Sequence, residues 1–300
     1  MKFISKKKSL FVAAALGFSM FTGAPQSVLA AETPAYTQQN LNAELTMAVA
    51  WMQNSAEYRE LCYQAYNAAL DQVVRAVSHH QAGDKPLAIV LDADETVVDN
   101  SAFEAGLIGT NHAYSNKNWD KWCAAAKASV MPGAAEFLQS VDKLGVDIFY
   151  VTNRSMDTQY EGSAKNMKAL GFPQVDRRHM LFKTDTSNKQ PRYDEVSKDY
   201  DVVVYLGDNA GDLPIGTYHK GQAERNAIVD AHKSEFGHSF IALPNPSYGD
   251  WEPALKKDGK FGDYWKLTPK EKSEARNASL KKWNPVDEEQ GAHVQSAKAN

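Results

Sequence analysis

Cysteine is almost missing from this 300-residue chain, which carries only Cys62 and Cys123. A disulfide-stapled scaffold is thereby excluded, and a packed core must hold the fold, with pairing of the two thiols left open. Histidines at metal-ligand spacing are missing too: His79 and His80 fall in a connector, and His112, His179, His219, His232 and His238 stand apart. A zinc centre is not expected. Basic excess is absent, since the formal net charge is -4, which argues against a nucleic-acid polymer or an anionic membrane surface as partner. No apolar run reaches the roughly 20 residues that span hydrocarbon.

What the front of the chain does carry is Lys2, Lys6, Lys7 and Lys8 ahead of an apolar stretch over 10–21, broken by Ser19, Thr22, Gly23 and Pro25. Small residues follow at Val28-Leu29-Ala30. This is the pattern of a secretory signal peptide over 1–30, cleaved after Ala30. Losing the four lysines moves the formal charge from -4 to -8. No cysteine lies near the cleavage point to take a lipid, so the expectation is a secreted or periplasmic protein without stable membrane insertion.

Hydrophobic residues make up 43% of the chain, enough for a sizeable core. Leu41, Leu45, Ala48 and Met52, then Leu61, Ala65, Ala69 and Val73, recur at helical spacing, which predicts two amphipathic helices within 31–86 packing on a neighbouring layer. Gly83 and Pro86 end that segment. Five short runs of branched apolar residues come next, at 87–91, 146–151, 180–182, 202–206 and 240–243, each separated by a helical stretch. Such a pattern predicts an α/β, doubly wound parallel sheet within a domain over 87–285. The segment 286–300 lacks apolar periodicity and reads as a flexible tail.

Sheets of this type bind ligands beyond the carboxyl ends of their strands. "AIVLDADETVVDN" places Asp92 and Asp94 at the first such end, where the turn lets both converge on one pocket while Ala93 points elsewhere. Converging carboxylates repel unless a cation or proton intervenes. An EF-hand loop does not account for them, because Val97 stands in place of the glycine and Phe103 in place of the bidentate glutamate. "VVVYLGDNAGD" repeats the arrangement with Asp208, Asn209 and Asp212. Oxygen ligands alone suit Mg2+. "IFYVTNR" adds Thr152 and Asn153 as anion donors, and "LFKTDTSNKQPR" adds Lys183 and Lys189. Carboxylates, a hard metal, a hydroxyl and an ammonium are the parts that phosphoryl transfer needs.

In order, "DADET", "VTNR", the lysine of "SNK" and "GDNAGD" resemble the four signature motifs of the haloacid dehalogenase superfamily. More narrowly, "LDADETVVDNS", "FYVTNR", "LFKTDTSNK", "YLGDN" and "LPNPSYGDWE" resemble bacterial class C acid phosphatases, the group that includes lipoprotein e(P4)-type 5'-nucleotidases. The resemblance implies the haloacid dehalogenase type of sheet, with an added helical subdomain from the N-terminal helices and the C-terminal segment. It implies that Asp92 forms an aspartyl-phosphate while Asp94 protonates the leaving alcohol and then activates water. Asp92, the carbonyl of Asp94 and Asp208 would hold Mg2+, Thr152 and Lys189 the phosphoryl group, with Asp212 and Asn209 in support and Lys183 ranked behind Lys189.

Asp94 discriminates against dehalogenation, since a halide leaves without a proton whereas an alkoxide needs one. From "NWDKW" and "LPNPSYGDW", the resemblance implies that Trp119 and Tyr248 clamp the base of a mononucleotide, although two tryptophans in one helical turn also suit core packing. The expected partner is therefore a small phosphomonoester, hydrolysed at mildly acidic pH. A phosphotransferase with the same intermediate, or a nucleotide- or haemin-binding protein without turnover, are the alternatives. A homo-oligomer is compatible with the sequence.

Overall fold

The computed structural model describes residues 35–256 and 261–283, with no side-chain description at 261. The expected signal segment and the tail at 286–300 lie outside the described residues. In chain order the helices are α1 (Gln38–Ala43), α2 (Thr46–Asn54), α3 (Ala56–His79), α4 (Ser101–Leu107), α5 (Asn116–Ala125), α6 (Ala134–Lys143), α7 (Met156–Ala169), α8 (Gln190–Asp199), α9 (Gln222–Ala231) and α10 (Pro269–Ser279). The strands are β1 (Leu87–Leu91), β2 (Val98–Asp99), β3 (Ser129–Val130), β4 (Asp147–Ser155), β5 (Met180–Lys183), β6 (Asp201–Gly207) and β7 (Phe240–Ala242).

Five of these strands form one parallel sheet in the order β5-β4-β1-β6-β7. The chain runs outward from β1 to β4 and β5, then returns to β6 on the other side of β1. That reversal puts the crevice above the carboxyl end of β1, where ligands bind in open α/β sheets. Every residue of β1 is buried. Ile89 and Leu91 enter the cluster with Tyr66, Ala69, Val73, Leu138 and Met167 on one face. Ala88 and Val90 face Tyr193, Val196 and Tyr200 on the other. This two-sided burial explains why the strand reads as an unbroken apolar run.

The N-terminal segment differs from its expected form. It holds three helices instead of two, because the first expected helix is interrupted at Glu44 and Leu45 into α1 and α2; Ser55 then turns the chain and caps α3 by accepting from the Tyr58 N–H at 3.1 Å. The buried stripe of α3 is Tyr58, Cys62, Ala65, Tyr66, Ala69 and Val73, while Leu61 is exposed. Ala65, Ala69 and Val73 lie on the buried stripe as their spacing predicts, and Cys62 takes the place expected for Leu61. Asn42 donates to the carbonyls of Leu107, Thr110 and His112 at 2.9–3.0 Å, which fixes the loop entering α5. Both cysteines are buried and free. No helix among the described residues is long and apolar enough to cross a membrane.

Strand β4 also runs further than its apolar residues. Its register against β5 shifts between Val151 and Ser155, so four positions of β4 pass two of β5. An irregularity of this kind re-aims side chains. Here it turns Thr152 and Arg154 inward and leaves Asn153 exposed.

Candidate active site

After β1 the chain folds back on itself at once. The Ala93 carbonyl accepts from the N–H groups of Val97 and Val98, each at 2.9 Å, and the Ala93 side chain enters the core. Asp92 and Asp94 are thereby turned away from the core. Glu95 takes the left-handed conformation, with φ 50°, a backbone strain of about 1–3 kcal/mol in a residue other than glycine. Its N–H to the Val98 carbonyl at 2.8 Å and its carboxyl contact with the Asn100 N–H at 2.7 Å hold it there. Tyr66 of α3 fixes the same turn by donating to the Thr96 carbonyl.

Asp92 and Lys189 are both buried, and the Lys189 ammonium contacts Asp92 Oδ1 directly. The same Nζ lies 2.7 Å from Asp212 Oδ1. Lys189 reaches this point from the head of α8, with Pro191 in the first turn. On the other side, one carboxylate oxygen each of Asp92, Asp208 and Asp212 lie within 4.8 Å of one another. Asp208 accepts from Asn245 Nδ2 at 2.8 Å and from the Thr96 hydroxyl at 3.4 Å. Asp212 accepts from the Asn209 N–H at 2.9 Å, and Arg225 in turn holds the Asn209 side chain at 3.0 Å.

Burial pushes the Asp92 carboxyl up to about 7 against the pull of Lys189, with Asp212 and Asp94 adding repulsion. Burial likewise raises Asp208 well above the ordinary range, reinforced by Asp212 and Asp92. For Lys189 burial opposes the charge, yet Asp212 and Asp92 outweigh it and hold the ammonium above its usual value. Three carboxylates and one ammonium leave two uncompensated negative charges when all are ionised. A hard divalent cation fits that donor set, since carboxylate oxygens are its preferred ligands and its charge cancels the excess.

Asp94 stands outside this trio and belongs to a second network. Arg154 donates to Asp94 Oδ1 from Nη2 at 2.7 Å and from Nε at 3.0 Å, and Asn100 Nδ2 reaches the same oxygen at 2.8 Å. Asn100 Oδ1 accepts from Trp122 Nε1 at 2.7 Å. Tyr248 places its hydroxyl on Glu95 Oε2. Burial, then the charges of Asp94 and Asp208, raises the Glu95 carboxyl well above its ordinary value, which favours a neutral carboxyl.

The remaining candidates divide. Thr152 is buried, and its hydroxyl oxygen accepts from the Arg154 N–H at 3.1 Å, which leaves the hydroxyl proton free for another acceptor. Asn153 instead faces outward, donating to the Ser187 carbonyl at 3.0 Å and accepting from Arg192 at 2.6 Å. Lys183 pairs in register with Ser155 and enters none of the ion pairs of the site. Trp119 packs edge-on to Phe103 at 5.1 Å and over the Arg154 guanidinium at 5.4 Å, and is mostly buried, while its neighbour Tyr114 is 58% exposed. No ring contact joins Trp119 to Tyr248 among the described residues.

Several residues of the site had no role assigned from sequence: Arg154, Asn100, Glu95, Asn245 and Arg192. Arg154 carried a readable signal, because an arginine inside a buried strand end must find an anionic partner.

The chain has relatives in sequence and in fold. The model of the HAD superfamily, subfamily IIIB (acid phosphatase), matches residues 14–251. The fold is similar to the structure of the class C acid phosphatase from Bacillus anthracis, with a TM-score of 0.75 and 37% identity, covering 81% of this chain and 99% of that one. A crystal structure of the class C acid phosphatase from Bacillus anthracis with tungstate bound matches with TM-score 0.75, 36% identity and the same coverages. The chain belongs to the acid phosphatases of HAD subfamily IIIB, has their α/β fold, and is a phosphomonoesterase.

Proposed function

We propose that this phosphomonoesterase is an exported, Mg2+-dependent acid phosphatase that passes the phosphoryl group of 5'-mononucleotides and simpler esters first to Asp92 and then to water. The observation that carries the reading is the contact of one buried ammonium, Lys189, with both Asp92 and Asp212 at the tip of β1. Lys189 engages Asp92 Oδ1, so Oδ2 is the oxygen left to attack phosphorus. As the Asp92–phosphorus bond forms, the bond to the ester oxygen breaks, and the proton on Asp94 passes to that oxygen so that a neutral alcohol departs. Water then attacks the phosphoryl group, gives its proton to Asp94 and returns Asp92 as a carboxylate.

Thr152 and Lys189 are suited to hold phosphoryl oxygens, the first through its free hydroxyl proton and the second through its charge. Mg2+ bound by Asp92, Asp208 and the Asp94 carbonyl, with Asp212 in reach, would neutralise charge developing on the phosphoryl oxygens. Tungstate bound by the Bacillus anthracis relative supports an oxyanion pocket, since tungstate and phosphate are both tetrahedral oxyanions. Trp119 and Tyr248 are the rings proposed to receive a nucleobase, a contact of about 1–3 kcal/mol per stacked base. Export rests on the lysine-led apolar segment at the front of the chain.

The test is a panel of phosphate esters assayed with Mg2+ and after chelation, for the native chain and Asp92→Asn. Loss of turnover in the variant and on chelation, with preference for 5'-mononucleotides reduced by Trp119→Ala, is expected. Undiminished hydrolysis by Asp92→Asn would overturn the aspartyl-phosphate route, and transfer of the phosphoryl group to added alcohols in preference to water would make the enzyme a phosphotransferase.

A further inference from the structure

We propose that Arg154 is the positioning residue of the leaving-group side of the site: it holds Asp94 by one oxygen so that the other is presented to the ester oxygen. Asp94 Oδ1 receives Arg154 Nη2 at 2.7 Å, Arg154 Nε at 3.0 Å and Asn100 Nδ2 at 2.8 Å. Oδ2 receives only the longer Nε contact, at 3.2 Å. Three donors saturate Oδ1 and prevent rotation of the carboxyl group, and Oδ2 is the oxygen with capacity left to carry and transfer a proton.

The guanidinium is itself fixed on every side. Nη1 donates to the Ser163 hydroxyl at 2.7 Å, and Ser163 is anchored on the Gln159 carbonyl of α7 at 2.7 Å. Nη2 also reaches Asn100 Oδ1 at 3.2 Å. The Trp119 ring covers the guanidinium at 5.4 Å. An arginine used for phosphate would keep part of its fork open, but here Nε, Nη1 and Nη2 all have protein partners. The Arg154 side chain therefore touches neither the nucleophile nor the proposed phosphoryl donors, although its backbone N–H meets the Thr152 hydroxyl, and the guanidinium acts through Asp94. Trp119 lies against the same guanidinium, so the proposed base platform and the proton donor share one support.

This inference rests on the proposed role of Asp94 as proton donor: its proton moves from Oδ2 to the ester oxygen, which takes the electron pair of the breaking phosphorus–oxygen bond. An aryl ester releases a stable phenolate and gains little from that proton, whereas an alkyl ester depends on it. For Arg154→Gln, kcat/KM, which covers the steps up to departure of the alcohol and not the shared hydrolysis of the aspartyl-phosphate, is expected to fall about 10²-fold on an alkyl ester such as glycerol phosphate and by less than about tenfold on p-nitrophenyl phosphate. Arg154→Lys, which keeps the charge but not the fork, should lie between. Ser163→Ala, which releases only Nη1, should shift the ratio of the two kcat/KM values in the same direction on a smaller scale. Inhibition by inorganic phosphate should stay near native values in all three.

An equal loss of kcat/KM on both esters, or a marked weakening of inhibition by inorganic phosphate, would overturn the proposal, the latter assigning Arg154 to phosphate binding. Asp94→Asn separates the two layers of the argument. If it discriminates between the esters and the Arg154 and Ser163 variants do not, positioning by Arg154 fails alone. If Asp94→Asn does not discriminate, the proton-donor reading fails first.

Discussion

Gly207 lies directly under Asp212: a Cβ on the glycine would stand 2.2 Å from the Asp212 Cβ and 2.6 Å from its Oδ2. No side chain fits there, because Asp212 is held from above by Lys189 and from the side by the Asn209 N–H. Gly207→Ala should push Asp212 away from Lys189 and out of the carboxylate trio. A displacement of this scale costs about 10²-fold in rate, with a stability loss of about 1–3 kcal/mol from overpacking. Steady-state kinetics beside a thermal melt checks it, and near-native turnover would show that Asp212 is dispensable.

Lys189 and Lys183 offer a paired comparison. Lys189→Met removes the ammonium between Asp92 and Asp212, and without a divalent cation should destabilise the protein by about 3–5 kcal/mol through uncompensated buried charge. Activity should fall by about 10²–10³-fold, the usual cost of losing one electrostatic donor at a developing charge. Lys183→Met should change kcat/KM by only a few fold, since Lys183 enters no ion pair of the site. Comparable losses in the two variants would remove the special place of Lys189.

Much of this architecture was legible because it follows from strand chemistry. Strands buried on both faces must be apolar, so β1, β4, β5, β6 and β7 announced themselves, and the polar residues that interrupt each run mark the crevice. Side-chain pairings across the fold were not legible. The partner of Asp94 is Arg154, 60 residues away, and no local period encodes that distance. The sequence places Asn153 beside Thr152 as an anion donor, but the side chain faces outward from β4 and accepts from Arg192. The ribbon of β2 and β3 went unread because two-residue strands carry no alternation.

Cation binding should depend on pH in a direction fixed by the carboxyl groups. In the ion-free protein, burial raises Asp92 to about 7 and Asp208 well above its usual range. Their folded values exceed the unfolded ones, so their contribution to stability is fully present in acid and is lost as pH rises toward about 7 for Asp92. A divalent cation needs the ionised forms and must displace those protons. The increment in Tm given by Mg2+ should therefore be larger at pH 7.5 than at pH 5. At a concentration about 100 times Kd it corresponds to about 2.7 kcal/mol. Thermal melts with Mg2+ and with chelator at both pH values measure it, and an increment that shrinks as pH rises would place the ion elsewhere.

Glu104 provides a test of the same logic away from the chemistry. It sits on the buried side of α4, and burial followed by repulsion from Glu252 pushes its carboxyl from 4.5 up to about 7. Glu252 already has partners, accepting from Tyr264 at 2.6 Å and from Arg276 Nε at 2.9 Å. Below pH 4.5 Glu104 is protonated in both folded and unfolded chains and contributes its full share. Between about 4.5 and 7 the unfolded chain loses the proton while the folded one keeps it, so stability falls by about 1.4 kcal/mol per pH unit. Glu104→Gln keeps the shape and removes the titration. Its Tm relative to the native chain should climb from pH 5 to pH 8, corresponding to about 3 kcal/mol across the whole window. A difference between the two proteins that stays constant over that range would mean that Glu104 meets solvent or a partner in the folded state, and that burial does not set its charge.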